Sequence, residues 1–251
     1  MSISKTSYYY KPKLRQEDDK IKDYLLSLSI KHKRWGFDKM RDKSRLDNKG
    51  WNHKRIYRVY CELGLNIRIK PRKRLAKGEA KSLVYPIKPN LCWSIDFMTD
   101  VLESGQRFRT FNVIDDFNRE GLLIDVAFSF PSKSVVHSLK KLIRDKGKPR
   151  QIRMDNGPEF ISHELKKWAK AQGIELLYIQ PGKPAQNAFI ERFNRTFRGD
   201  ILDMHLFNSL PEVDELSKKW LKMYNNERPH ESLKGLTPAL FSQRKHVEVA
   251  A

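Results

Sequence analysis

Apolar residues near the front of the chain recur with helical spacing. After Glu17, Ile21, Tyr24, Leu25 and Leu28 follow the i, i+3, i+4, i+7 rule, which predicts a helix with one buried face. Arg34-Trp35-Gly36-Phe37 interrupts the pattern, and a second helix is expected over Asp38–Leu46. A third should follow Asn52, a good N-cap, with Ile56, Val59, Tyr60 and Leu63 inward and Gly64 past its end. Residues 16–65 therefore read as a small basic all-α, helix-turn-helix-like module. A plain helical bundle with solvated lysines would carry the same pattern. The basic, tyrosine-rich residues 1–15 read as an arm. Residues 66–90 hold three prolines and read as a linker.

From Leu91 the period changes. Leu91–Met98 alternates as a strand, with Trp93, Ile95 and Phe97 on one face and Cys92, Ser94, Asp96 and Met98 on the other. Arg107–Phe117 and Leu122–Phe128 are further strands, joined by a link at Asn118–Gly121 that suits a hairpin. Ser132–Lys146 is amphipathic, with Val135, Val136, Leu139, Leu142 and Ile143 inward, and Gly147 stops it. A short strand over Gln151–Asp155 precedes a helix over Ile161–Gln172, in which Ile161, Leu165, Trp168, Ala169 and Gln172 are expected inward. Glu175–Gln180 is the fifth strand, Pro181–Gln186 a loop, Asn187–Leu202 a helix and Glu212–Tyr224 another. The order predicts an α/β fold: a mixed five-stranded sheet with flanking helices over residues 91–205, then a C-terminal helical segment over 206–251.

Charge adds a partner to this picture. The 251 residues carry a formal +20, and the excess is uneven. The first 85 residues hold 24 basic against 9 acidic side chains; the other 166 hold 26 against 21. Such a field suits a polyanion, nucleic acid before an anionic membrane. The run Lys70-Pro71-Arg72-Lys73-Arg74 in the linker would lie along phosphates. No apolar run is long enough for a membrane span, and the N-terminus lacks the apolar region of a secretion signal. Cys61 and Cys92 form neither a disulfide framework nor a C-x-x-C zinc or redox motif, so a reducing cytoplasm is expected. No Gly-rich phosphate loop is present.

Three acids stand where chemistry could use them. Asp155 closes a predicted strand and precedes the Asn156-Gly157-Pro158 turn. Asp96 lies inside a strand, where an ionised acid is costly unless paired or bound to metal. Glu191 shares a helix stripe with Asn187, Arg195 and Arg198, roughly a quarter to a third of a turn from the core stripe of Ile190, Phe193, Phe197 and Ile201. Two of them have an ordinary alternative. Asp96 could accept bonds from Ser or Thr neighbours, and Glu191 could simply pair with Arg195. Asp115 and Asp116 read as strand-end or turn acids. Taken together, carboxylates converging at a sheet rim make a hard-oxygen site for Mg²⁺ or Mn²⁺, and in a basic protein two-metal phosphodiester chemistry is the natural use.

WSIDFMTD, MDNGPEF and PGKPAQNAFIERFNRTFR resemble the Asp, Asp-35-Glu core of the retroviral-integrase superfamily, with 35 residues between Asp155 and Glu191. With YNNERPHESLKGLTPALF near the C-terminus, residues 20–242 resemble the second-frame transposase product of two-frame bacterial insertion sequences. The resemblance implies an RNase-H-like fold with Asp96, Asp155 and Glu191 as catalytic metal ligands for Mg²⁺, two ions with Mn²⁺ able to substitute. It implies that Asn156 and the Pro181–Asn187 loop, Lys183 and Asn187 included, shape the DNA site. Arg198, seven residues after Glu191, would contact substrate DNA, with Arg195 beside it. The zinc module of retroviral integrases has no counterpart in these residues.

The expected activity is metal-dependent cleavage at element ends followed by 3′-OH strand transfer. A purely hydrolytic RNase-H-type nuclease and a non-catalytic DNA-binding regulator compete with it. Expected partners are double-stranded DNA at element ends and target, further copies of the chain on that DNA, and an upstream-frame product of the same element. The expected location is the bacterial cytoplasm, at the nucleoid.

Overall fold

The computed structural model describes residues 4–9, 17–67, 86–180 and 184–250. The chain divides into two compact units, Met1–Lys70 and Pro71–Ala251. The first begins with a single turn, α1 (Lys5–Tyr8), and is built from α2 (Glu17–Lys31), α3 (Phe37–Leu46) and α4 (His53–Glu62). Ile21, Leu25, Leu28, Met40, Ile56, Val59 and Tyr60 are buried together with Trp35, the residue that breaks the helical period. Tyr24 is only half-buried, because its hydroxyl reaches out to donate to Asp47 at 2.8 Å. Asn52 caps α4 by accepting from the Lys54 N–H at 2.9 Å.

Part of this unit's positive charge is spent inside it. Arg55 donates to Glu17 and Asp18, and Arg58 donates to Asp18 at 2.7 Å, tying α4 to the start of α2. Bonds from Arg58 and Arg55 hold the Asp18 carboxyl below the usual carboxylate range. Arg41 and Lys43 are likewise paired, with Asp38 and Asp47. Net charge therefore overstates how many cations are free to meet phosphates.

The second unit holds five strands: β1 (Cys92–Val101), β2 (Arg107–Asp115), β3 (Gly121–Ala127), β4 (Gln151–Met154) and β5 (Glu175–Tyr178). Their spatial order is β3-β2-β1-β4-β5; the first three pair antiparallel, and β4 and β5 join parallel. Helices cover both faces, which is why β1 is buried on both sides over residues 92–95. Trp93 and Ile95 enter one core with Val135 and Leu139 of α5 (Ser132–Lys146) and Leu165 of α6 (His163–Gln172). Met98, two residues beyond Asp96 on the opposite face, enters a second core. Ile190, Phe193 and Phe197 of α7 (Ala188–Asp200) and Trp220 and Tyr224 of α8 (Leu210–Asn226) fill it. The final helix, α9, spans Pro238–Ala250. This is the RNase-H-like arrangement that the resemblance implied.

Several local expectations change. β1 runs past Met98 to Val101 because β2 pairs with it as far as Arg107. β2 stops at Asp115, where the chain turns through Arg119 in the left-handed region at φ 61°. Ile161 and Gln172, expected inward, are exposed. Ser162 caps α6 by accepting from the Leu165 N–H, so Ile161 precedes the helix and does not share its buried face.

Candidate active site

Asp96 lies midway along the central strand, opposite Asn112 of β2. Strand alternation turns it toward α7, where its Oδ2 accepts from Asn194 Nδ2 at 2.7 Å. Asn194 Oδ1 in turn accepts from Asn112 Nδ2 at 2.8 Å. Both amides are buried, so Asp96 is held by a short internal chain of hydrogen bonds. Asp155 immediately follows β4. Ser94 pairs with Arg153 in parallel register, so two residues on, Asp155 reaches the level of Asp96. Its Oδ1 accepts from the Gly157 N–H at 2.9 Å, and a Cβ at Gly157 would press to 3.0 Å from that oxygen. Glycine leaves the carboxylate room. Glu191 stands in the first turn of α7.

Burial pushes the Asp96 carboxyl up to about 6, and the charges of Asp155 and Glu191 push it the same way. Bonds from the Phe97 N–H and from Asn194 oppose this. The three acids thus share one electrostatic field, and among the described residues none of them has an ion-pair partner. Nearby cations are committed elsewhere: Arg153 to Asp116 at 2.6 Å, Arg109 to Glu159, and Arg198 to Asp100 at 3.2 Å. Among the described residues no group of three His, Cys, Asp or Glu side chains is drawn close enough to enclose an ion as it stands. The donor chemistry nonetheless fits a hard divalent cation: carboxylate oxygens of like charge, paired with no lysine or arginine among the described residues.

The other expected site residues scatter. Asn156 is exposed, and its Nδ2 donates to the Ile179 carbonyl at 3.0 Å, bridging the ends of β4 and β5. Asn187 does not face outward to DNA. It is 3% exposed, with Nδ2 turned to the Ile95 carbonyl at 3.5 Å and Oδ1 buried without a partner. Its position just ahead of α7 tucks it under the helix. Arg195 is exposed, and the i, i+4 pair with Glu191 is not formed. Arg198 is half-exposed and ties α7 to the end of β1, donating to the Thr99 carbonyl at 2.8 Å as well as to Asp100. Lys183 and the linker residues Lys70, Arg72, Lys73 and Arg74 lie outside the described residues. Asp115 and Asp116 turn away from the site. Asp115 accepts from the Asn90 and Phe117 N–H groups, each at 2.8 Å. Asp116 accepts from Ser94 Oγ and Arg153, each at 2.6 Å.

Sequence reasoning missed Asn194 and Asn112. Asn194 follows Glu191 by three residues, on the flank between the polar and apolar stripes of the helix. Asn112 is a lone amide in an otherwise apolar strand interior. That is a visible signal, although nothing in the spacing names its partner.

A mixed sheet in this order, with acids gathered at the central strand and the helix beside it, defines the integrase-like class of RNase-H-like proteins. Two family models described as integrase core domain match residues 86–184 and 172–238. The chain is 36% identical to an uncharacterized 31.7 kDa protein of insertion element IS407 from Burkholderia multivorans, over 97% of this chain and 88% of that one. It is 24% identical to the putative transposase InsK of insertion sequence element IS150 from Escherichia coli, over 98% of this chain and 92% of the other. The HTLV-2 integrase catalytic core, solved in complex with magnesium, superposes with a TM-score of 0.48 at 19% identity, covering 62% of this chain and 98% of that one. The chain belongs to the insertion-element transposase family built on an integrase core.

Proposed function

We propose that this chain is a DNA transposase that cleaves strands at the ends of its element and joins the freed 3′-OH to target DNA. The observation that carries the reading is the convergence of Asp96, Asp155 and Glu191. They come from the central strand, the end of β4 and the first turn of α7, and among the described residues no cation side chain pairs with them. We assign these acids as holders of divalent metal, two Mg²⁺ ions with Mn²⁺ able to substitute. Bound there, the ions would supply the Lewis acidity that activates an attacking oxygen and stabilises a leaving one. The chain's own part is to aim the carboxylates. The Asn112–Asn194 pair fixes Asp96, the Gly157 N–H fixes Asp155, and the rigid first turn of α7 presents Glu191. Arg195 and Arg198 are assigned to the DNA flank of α7, and Lys70, Arg72, Lys73, Arg74 and Lys183 to phosphate contacts.

Element ends and target DNA are the substrates, with further copies of the chain on the DNA and an upstream-frame product of the same element as protein partners. Among the described residues no helix is long and apolar enough to cross a membrane. We place the chain at the nucleoid in the bacterial cytoplasm. Asp96→Asn, Asp155→Asn and Glu191→Gln should each abolish cleavage and strand transfer together while DNA binding survives, since affinity rests mainly on basic residues. Near-normal strand transfer in Mg²⁺ by any of the three would remove that residue from the site. Cleavage without strand transfer by the unmodified protein would favour a hydrolytic nuclease.

A further inference from the structure

The α5–α6 side of the sheet carries a charge pattern that the site does not use. These two helices pack on the core of Trp93 and Ile95, whereas Asp96 and Glu191 belong to the α7 side. Along α5, Lys133, His137, Lys140, Lys141 and Arg144 are all exposed. At helical spacing they fall within an arc of about 100° and a length of about 16 Å. Among the described residues none of the four cations forms an ion pair. The neighbouring helix adds Lys166, Lys167 and Lys170, and each helix has one acid, Asp145 and Glu164. Between the helices lies a groove of about 450 Å³ lined by His137, Lys140, Lys141 and Arg144, with Ile143, Trp168 and Gln172. Trp168 is 8% exposed, and its indole N–H is buried without an acceptor.

We infer that the α5–α6 face is a second DNA-binding track, holding the phosphate backbone of a duplex other than the one at the carboxylates. The row consists of cations on a helix, spaced by single turns; the apolar groups beside it, Ile143 and Trp168, are part-buried and buried in the groove and do not stand out as the anchors a protein partner's interface core needs. A second copy docking two-fold on this face would set like charge against like. A phosphate strand satisfies every cation in the row without sequence-specific contacts. The face lies across the sheet from the acids, so a molecule seated on it leaves them free. On the transposase reading above, one chain can then hold two duplex segments at once.

The test compares two charge reversals of equal size in the full-length chain. Lys140→Glu, Lys141→Glu and Arg144→Glu remove the track; Lys218→Glu, Lys219→Glu and Lys222→Glu, on α8, change the net charge equally on the other side of the sheet. All six positions are exposed, and circular dichroism and melting check that both variants fold. Binding of a duplex is titrated against salt. The α5 variant should lower the slope of log affinity against log salt by about two to three, while the α8 variant changes it little. A photocrosslinker placed at position 141 should label DNA in the metal-free, uncleaved complex. Equal slope changes in the two variants, or no label from position 141, would overturn the track. Displacement of a labelled acidic polypeptide from this face, with the DNA slope unchanged in the α5 variant, would assign it to an acidic protein and overturn it equally.

Discussion

Asp96 is held at a distance from its preferred charge state. A carboxyl raised to about 6 in the folded chain binds its proton more tightly there than in the unfolded chain, where it titrates near 4. The stability this contributes is present in full below about pH 4 and is lost as pH rises through about 6. Asp115, raised to about 6 by burial, adds to the loss over the same window. In the absence of divalent ions, Asp96→Asn should match the wild type near pH 4 and exceed it by about 1–3 kcal/mol at pH 7. Mg²⁺ should then raise the melting temperature of the wild type and leave the variant's unchanged. Calorimetric melts at the two pH values, with and without Mg²⁺, check both; a variant that gains nothing between pH 4 and 7 would show that burial does not strain this acid. Arg198 poses the opposite question, because its bonds to Asp100 and Thr99 could be its whole purpose. Removing a half-exposed pair should cost no more than about 1 kcal/mol. If the guanidinium also meets DNA, Arg198→Ala should weaken crosslinking and strand transfer with pre-cleaved ends, and Arg198→Lys should retain more of both. Unimpaired strand transfer in Arg198→Ala would reduce the residue to a strap between α7 and β1.

At the scale of elements, the candidate catalytic face depends on how tightly α7 and α8 close over β3. Gly121 opens β3, and Asn225 of α8 brackets its peptide. The Gly121 N–H donates to Asn225 Oδ1 at 2.9 Å, and Asn225 Nδ2 donates to the Gly121 carbonyl at 2.8 Å. A Cβ at this position would overlap Leu221 and sit 2.7 Å from Phe193 Cε2. Phe193 lies on α7 two residues after Glu191, so pressure there reaches the helix that carries the acid. Gly121→Ala should destabilise by about 1–3 kcal/mol through overpacking. Asn225→Ala should cost a similar ~1–3 kcal/mol by leaving two backbone groups unpaired. Urea unfolding measures both, and a neutral Gly121→Ala would mean that α8 can retreat without loss.

For the whole molecule, the uneven charge becomes a statement about parts. Residues 1–70 carry 19 basic and 8 acidic side chains and coincide with the first compact unit. Deleting them should leave a folded second unit that retains both of its cores and binds DNA with a clearly flatter salt dependence. An unchanged slope would mean that the N-terminal cations do not meet phosphates, which Arg55 and Arg58 already illustrate at single positions by turning to Asp18.

Sequence by itself determined most of the elements and named the candidate acids. Helical and alternating periods are local consequences of burying one face, so α2, α4, α5 and the core stripe of α7 were legible, as were strands with apolar residues on both sides. Asp96, Asp155 and Glu191 were named as a set by the resemblance of their spacing to the integrase core, since on the residues alone Asp96 and Glu191 each had an ordinary alternative. Tertiary structure alone decided which partners each side chain found. Whether Glu191 pairs with Arg195 or Arg198 with Asp100 depends on where β1 ends relative to α7, and no helical period contains that. Asn187 turned inward for the same reason, and Asn194 and Asn112 met across 82 residues of chain to hold Asp96. Hydrogen bonds between distant segments are set by packing geometry, and a linear pattern carries only the identities of the groups that will make them.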